Sequence, residues 1–240
     1  MALVISCEHA GNRVPASLRP AFAGARALLA SHRGFDAGAL VFARRLGAAL
    51  ALPVIATTIT RLVVDTNRHA GHPRVISERL AMLDAAARAR VLARWHAPHR
   101  ARVHDAVAAA LRRSPRVLHV AVHSFTPVLD GVVRQADVGL LYDPGRALER
   151  TLAGAWRASI RGLQPQLRVR ANYPYRGTSD GLTRWLRTCF APARYAGIEL
   201  ELNAGLLRDA TRWRAATTAV LQGLAALLSS RSAGTAARRS

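Results

Sequence analysis

Short apolar runs alternate with longer amphipathic segments along almost the whole chain. The apolar runs are rich in β-branched residues and predict strands at 3–6, 53–58, 62–64, 117–122, 138–142, 167–171 and 196–202. The longer segments have apolar residues at three- and four-residue spacing and predict helices at 37–50, 85–111, 146–163, 181–188 and 206–228. This alternation favours an α/β domain with helices on both faces of a parallel or mixed sheet.

The chain is long enough for one large domain, and no linker-like segment divides its 240 residues. We assign residues 1–228 to a single domain and residues 229–240, rich in Ser, Ala and Arg, to a disordered tail.

No apolar run reaches the roughly 20 residues that span a bilayer, and the first residues lack the charged segment of a signal peptide. With only Cys7 and Cys189, a disulfide framework is not expected. These features predict a cytoplasmic protein without a membrane partner.

The chain is strongly basic, with a formal net charge of +21, and all 35 of its basic residues are arginines. These arginines are spread along the sequence, whereas a nucleic-acid-binding surface concentrates its cations on one face. We therefore expect no specific nucleic-acid partner. An arginine-rich surface instead favours small anionic ligands. No pattern in the sequence predicts an oligomeric state.

Two histidines follow predicted strands. The first strand leads into Glu8 and His9, and the run that ends at Val122 leads into His123. Open α/β sheets bind ligands at the carboxyl ends of their strands, and neutral imidazole is a common metal ligand. Two histidines, a carboxylate and an open position form a catalytic zinc site. For His9 alone, a hydrogen bond at a strand end is an equally good explanation, whereas His123 follows five apolar positions and needs a partner.

Between the two histidines, the segment from Arg61 to Arg68 places an acid, an amide and two arginines close together. An arginine guanidinium can bind a carboxylate through two parallel hydrogen bonds, and the amide of Asn67 can add a further hydrogen bond. Asp65 can orient one of the guanidinium groups. We interpret the segment as an anion-reading cluster, with a structural Asp–Arg pair as the alternative.

Two acids, Glu199 and Glu201, lie on the same face of the last predicted strand, because side chains alternate along a strand. Leu200 and Leu202 then face the core. The acids therefore face either a site or solvent and neighbouring arginines. From the residues alone, a general base and a solvated charge are equally good interpretations of Glu201.

An ordered series of motifs runs through the chain. They are Ser-Cys-Glu-His-Ala-Gly-Asn-x-Val-Pro at 6–15, Phe-Asp-Ala-Gly-Ala at 35–39, Arg-Leu-Val-Val-Asp-Thr-Asn-Arg at 61–68, His-Ser-Phe-Thr-Pro at 123–127, Asn-Tyr-Pro-Tyr at 172–175 and Glu-Leu-Asn-Ala-Gly-Leu at 201–206. Together they cover roughly residues 3–207 and resemble the N-formylglutamate amidohydrolase family. The resemblance implies a three-layer α/β/α fold with a mixed central sheet, similar to that of zinc carboxypeptidases and aspartoacylases.

The resemblance also implies Zn²⁺, or another divalent metal, held by His9, His123 and a carboxylate. The related enzymes use a His-x-x-Glu pair, whereas this chain has Asn12 three positions after His9. An amide is a poorer zinc ligand than a carboxylate. The third ligand is therefore Glu8 or Asp36, and we favour Glu8.

The family's catalytic roles map onto matching positions. Glu201 resembles the glutamate that activates water as general base, and Arg61 resembles the arginine that stabilises the developing oxyanion. Asn67 and Arg68 resemble the pair that holds the substrate carboxylate, with Asp65 in support.

The predicted function is hydrolysis of the amide of N-formyl-L-glutamate, or of a similar small anionic N-acyl amino acid, to the free amino acid and formate or another carboxylate. N-formylglutamate has two carboxylates, and Arg176, in a turn-rich loop after Asn172, is our candidate for binding the second. An exposed loop arginine is the alternative reading of Arg176. Two other functions fit the sequence: zinc hydrolysis of another acyl-amino acid or a short peptide, and metal-free binding of acidic metabolites.

Overall fold

A six-stranded sheet forms the centre of the computed structural model, which describes residues 1–236 and the side chains of residues 1–229. The strands are β1 (Ala2–Cys7), β2 (Val54–Ala56), β3 (Val117–Phe125), β4 (Val128–Leu129), β5 (Val132–Val133), β6 (Val138–Leu141), β7 (Val169–Ala171) and β8 (Tyr195–Asn203). The sheet order is β2-β1-β3-β8-β6-β7, and β4 and β5 form a separate hairpin. Only the β6–β8 pair is antiparallel within this sheet. The sheet is therefore mixed and mostly parallel, which confirms the predicted fold class.

Helices cover both faces of the sheet. They are α1 (Arg26–Ala30), α2 (Ala39–Ala49), α3 (Ala85–Val91), α4 (Ala97–Arg113), α5 (Ala147–Leu163), α6 (Leu182–Cys189) and α7 (Ala210–Ala236). A π-helical turn, Leu92–His96, joins α3 to α4, and short 3-10 helices occur at Ala16–Phe22, Glu78–Leu80 and Ala204–Arg208. Side chains of α2, α5 and α7 share the larger hydrophobic core with the sheet, whereas those of α4 and α6 pack in a separate cluster. This arrangement is the three-layer architecture.

Alternation along the central strands gives the sheet two different faces. Ile5, Val120 and Leu200 enter the larger core. The opposite face carries buried polar side chains, among them His123 and Glu201. The polar side chains that the sequence singled out on β3 and β8 thus share one face of the sheet.

The predicted strand at 62–64 is wrong. The amides of Val63 and Val64 both donate to the Thr60 carbonyl, which makes this segment a turn. Its side chains are buried in a second hydrophobic cluster with Phe22 and Leu80. A buried turn and a buried strand both produce a short run of β-branched apolar residues, so the pattern alone does not separate them.

The C-terminal helix differs from the predicted one at both ends. The 3-10 helix Ala204–Arg208 precedes α7, which continues to Ala236, so residues 229–236 of the expected tail are helical. Positions 237–240 of that tail lie outside the described residues. In residues 1–236, no helix combines the length and apolar character needed to cross a membrane.

Candidate active site

Strand register brings distant residues together at one edge of the sheet. His9 follows β1 in a turn, where the Ala10 amide donates to the Thr57 carbonyl just beyond β2. On the neighbouring strands, His123 of β3 is the direct register partner of Glu201 of β8. Because β1, β3 and β8 are parallel, these three side chains meet at the carboxyl ends of their strands.

Asp36 lies between the two histidines. Its Oδ2 is 3.3 Å from His9 Nδ1 and 2.9 Å from His123 Nδ1, and it also accepts the Ser124 amide at 3.3 Å. Gly38, with a φ of 82°, turns the chain from Asp36 directly into α2, a conformation that favours glycine. One donor atom from each of His9, Asp36 and His123 lies within 4.8 Å of the other two. In the described part of the chain, these are the side chains close enough to hold a metal ion.

Two further carboxylates contact the opposite edges of the imidazole rings. Asp65 Oδ1 is 2.7 Å from His9 Nε2, in a buried hydrogen bond. Glu8 Oε2 is 3.0 Å from His123 Nε2, but the two atoms are not aligned for a hydrogen bond, so the contact is an ion pair only. Glu8 therefore lies at the Nε2 edge of His123, whereas Asp36 lies at the Nδ1 edge. The group of mutually close donors contains Asp36 and not Glu8.

Pairing overrides burial in setting the charges of this cluster. Burial opposes ionisation of Asp36, yet the adjacent His9 and His123 lower the pKa of its carboxyl below the ordinary value. Burial likewise opposes ionisation of Glu8, but contacts with His123 and His99 hold its pKa well below the usual range. For His123, burial favours the neutral ring, but Asp36 and Glu8 raise the pKa well above the ordinary value. The carboxylates on either side of His123 thus favour its charged form in the metal-free protein.

The two acids of β8 face this cluster, which is one of the two alternatives that the sequence left open. Glu201 is 4% exposed, and its Oε2 has no hydrogen-bond partner within the described residues. Burial, only partly offset by His123, raises the pKa of Glu201 to about 8. Glu199 is also buried, and burial raises its pKa, although Thr183 Oγ1 donates to its Oε1 at 2.5 Å. The structure therefore has two protonatable acids beside the histidine pair.

Asp65 also orders the predicted anion-reading segment. Its Oδ2 accepts from Arg61 Nη2 at 2.8 Å and is 3.3 Å from Arg68 Nε, while Arg61 Nη1 is 3.6 Å from Asp36 Oδ1. The Oδ1 atom of Asn67 accepts the Leu182 amide at 2.7 Å. The Nδ2 group of Asn67 is therefore left as a donor on the wall of the site.

A cavity of about 420 Å³ opens in front of these groups. Its lining includes His9, Asp36, His123 and Glu201, which connects the cluster to the outside. Arg176 also lines the cavity, and among the described residues no carboxylate pairs with its guanidinium.

Supporting residues lie on α4 and on the π-helical turn before it, and the sequence motifs did not predict them. His96 Nε2 is 2.8 Å from the Arg68 carbonyl oxygen, and Arg100 Nη1 donates to the same oxygen at 3.1 Å. His99 Nε2 is 3.4 Å from Glu8 Oε1. These three positions are spaced three and four residues apart on the buried side of the helix, where polar side chains need partners. That pattern was the available signal. Glu199 and Thr183 were likewise not assigned to the site.

The fold and this buried histidine–carboxylate centre define a three-layer α/β/α protein with a candidate metal-binding site at the carboxyl ends of parallel strands. The family model described as N-formylglutamate amidohydrolase matches residues 1–208, and the chain belongs to that family. Its members are hydrolases that act on the carbon–nitrogen bond of an amide. A search of curated proteins finds no match.

Two solved structures are similar to the chain over nearly its whole length. The gene product Atu2144 from Agrobacterium tumefaciens is 28% identical with a TM-score of 0.81, and the match covers 96% of this chain and 91% of that one. The N-formylglutamate amidohydrolase from Ralstonia eutropha JMP134 is 20% identical with a TM-score of 0.69, and 92% of each chain is covered. The second likeness supports the fold.

Proposed function

We propose that the protein is a metal-dependent hydrolase that cleaves N-formyl-L-glutamate, or a similar small N-acyl amino acid, to the free amino acid and formate or another carboxylate. The observation that carries this proposal is the convergence of His9, Asp36 and His123 beside Glu201 in an open cavity. Two free thiols, at Cys7 and Cys189, support a reducing compartment such as the cytoplasm.

The donor set fits Zn²⁺. Two imidazole nitrogens and one carboxylate oxygen form a usual catalytic set with an open fourth position. In this assignment the ligands are His9, His123 and Asp36, while Asp65 and Glu8 sit at the far ring edges. Carboxylates in that second position orient metal-bound histidines. Asp36 therefore replaces Glu8, which the sequence favoured, as our third ligand.

The remaining chemistry is assigned to the chain's own residues. A divalent metal at this position supplies a Lewis acid that polarises a carbonyl and lowers the pKa of water. Glu201 takes a proton from the attacking water and later delivers it to the leaving amine, a role suited to an acid whose pKa is close to neutral. Arg61 has Nη1 free of any hydrogen bond in the described structure and donates to the developing oxyanion.

Three cationic or amide groups hold the substrate. Asn67 Nδ2 and Arg68 bind the α-carboxylate, at the wall formed by the anion-reading segment. Arg176 binds the second carboxylate, because it is the cavity arginine without a carboxylate partner in the described structure. A substrate with two carboxylates therefore fits this cavity better than one with a single carboxylate.

The test is formate release from N-formyl-L-glutamate by protein of measured zinc content. We expect zinc-dependent turnover that is lost in His123→Ala and Glu201→Gln, with zinc lost only from the histidine variant. His104→Ala and Glu78→Gln replace a half-buried histidine and an exposed glutamate that do not line the cavity, and they serve as controls that retain activity. Bound zinc without formate release would refute the substrate. Binding of acidic metabolites without zinc or turnover would favour the metal-free binding protein.

A further inference from the structure

Glu199 is a buried carboxylate of the cavity wall to which the reaction above gives no role. It lies on the same face of β8 as Glu201, two residues earlier, and it is 9% exposed. Its register partner on β3 is Ala121, which offers the carboxylate no polar group. An ionisable acid in such a place is costly unless it has partners.

One oxygen of Glu199 has a fixed partner, and within the described residues the other has no hydrogen-bond donor. Thr183, which is fully buried in the first turn of α6, donates its hydroxyl to Oε1. No arginine or histidine of the described residues forms an ion pair with Glu199, whereas Asp36, Asp65 and Glu8 are each paired. Glu199 is thus an acceptor held in place and still able to receive another donor.

Gly181 allows the Glu199 side chain to lie close to Asn67 of the anion-reading segment. A Cβ at position 181 would lie 3.0 Å from Glu199 Oε1, 3.3 Å from Asn67 Oδ1 and 3.6 Å from Asn67 Nδ2. The carboxylate of Glu199 and the amide of Asn67 therefore approach each other around Gly181, where any side chain would press against both.

This convergence matches the shape of an N-acyl amino acid. The amide nitrogen and the α-carboxylate are attached to the same carbon, so the groups that bind them must be neighbours. With the carboxylate on Asn67, the amide N–H points to an acceptor beside Asn67. A carboxylate is acceptor-only when ionised, and it binds a charged donor more strongly than a neutral one.

We propose that Glu199 accepts the N–H of the scissile amide and then holds the ammonium group of the amino-acid product. This assignment rests on the proposed function and extends it to a substrate class: secondary amides, as opposed to esters or N-alkylated amides. Thr183 is the positioning residue that orients Glu199.

Product binding tests the assignment without turnover. Calorimetric titration of the zinc-loaded protein compares L-glutamate with glutarate, which lacks only the amino group. We expect wild type to prefer glutamate by at least about tenfold, as for a hydrogen bond between charged groups. Glu199→Gln, which keeps an oxygen for Thr183, loses most of this preference, Thr183→Val loses part of it, and the surface control Glu78→Gln retains it.

A preference for glutamate that survives in Glu199→Gln overturns the assignment. A wild type that binds neither glutamate nor glutarate refutes the dicarboxylate substrate itself, and the assignment with it. Where wild type turns over N-formyl-L-glutamate, kcat/KM for the N-methylated substrate gives a second readout. Wild type should discriminate against N-methylation, and Glu199→Gln and Gly181→Ala should lower kcat/KM for the secondary amide towards the N-methyl value. Equal discrimination in all three proteins contradicts the proposal.

Discussion

The unpaired carboxyl of Glu201 makes the stability of the metal-free protein depend on pH in a way that one substitution removes. Its pKa rises from the ordinary 4.5 to about 8 in the folded protein, because burial disfavours the charged form. Between these two values the folded state holds a proton that the unfolded state has released. Stability from this group is therefore greatest at low pH and is lost as the pH rises towards 8.

The two pKa values of Glu201 fix the size of the effect. Each pH unit between them is worth about 1.4 kcal/mol, so from about pH 5.5 to about pH 8.5 the free energy of unfolding falls by about 3 kcal/mol. Glutamine is neutral throughout this range. Glu201→Gln should therefore gain about 3 kcal/mol relative to wild type across the same interval.

Urea denaturation of chelator-treated protein at a series of pH values measures this difference. All other titrating groups are common to both proteins, so the pH dependence of the difference isolates position 201. The matched control is Glu78→Gln at an exposed glutamate, for which we expect a constant difference from wild type. A difference between Glu201→Gln and wild type that does not change with pH would refute the reasoning.

Three further predictions concern the metal, the buried network and the substrate. Asp36→Asn should lose zinc, whereas Glu8→Gln should still bind one zinc per chain, about 10–100-fold more weakly than wild type. Metal analysis after dialysis against graded chelator measures both. Loss of zinc in Glu8→Gln with zinc retained in Asp36→Asn would make Glu8 the ligand. Ser6→Ala should lower the free energy of unfolding in urea by about 1–3 kcal/mol, because it leaves the buried His119 Nε2 without its 2.7 Å partner; an unchanged midpoint would mean that another donor or acceptor replaces it. In formate-release assays, Arg176→Ala should raise KM about tenfold for N-formyl-L-glutamate but leave KM for N-formyl-L-alanine unchanged. Equal effects on both substrates would refute the assignment of Arg176 to the second carboxylate.

Strand-end residues were the part of the site that the sequence could predict. His123 follows an apolar strand, and alternation places Glu201 on the face of its strand opposite Leu200 and Leu202, whereas the general-base role of Glu201 came from the family resemblance. Parallel pairing then brings them together without any knowledge of side-chain packing. The turn at 62–64 was not predictable in this way, because burial there comes from a local cluster and not from the sheet.

The choice between Glu8 and Asp36 depended on where β1 stops. Ser6 pairs with Ala121, so the next residue on that face, Glu8, continues the register and stands beside His123. His9 has already left the strand and turns towards the start of α2, where its carbonyl accepts the Asp36 amide at 3.0 Å. A sequence pattern gives the order of these acids along the chain but not the residue at which the backbone departs from the sheet.

Two histidines on the same face of β3 show why the site lies at the carboxyl edge. His119 and His123 are both buried, but His119 contacts the hydroxyls of Ser6 at 2.7 Å and Tyr195 at 2.9 Å. Because hydroxyl partners carry no charge, burial sets the direction of the shift and lowers the pKa of His119 to about 4, so its ring is neutral. His123 has carboxylate partners, which raise its pKa instead. Polarity along this face therefore changes from neutral hydrogen bonds to charges as β3 approaches the cavity, and the charged end places a carboxylate beside two imidazoles, a donor set that suits zinc.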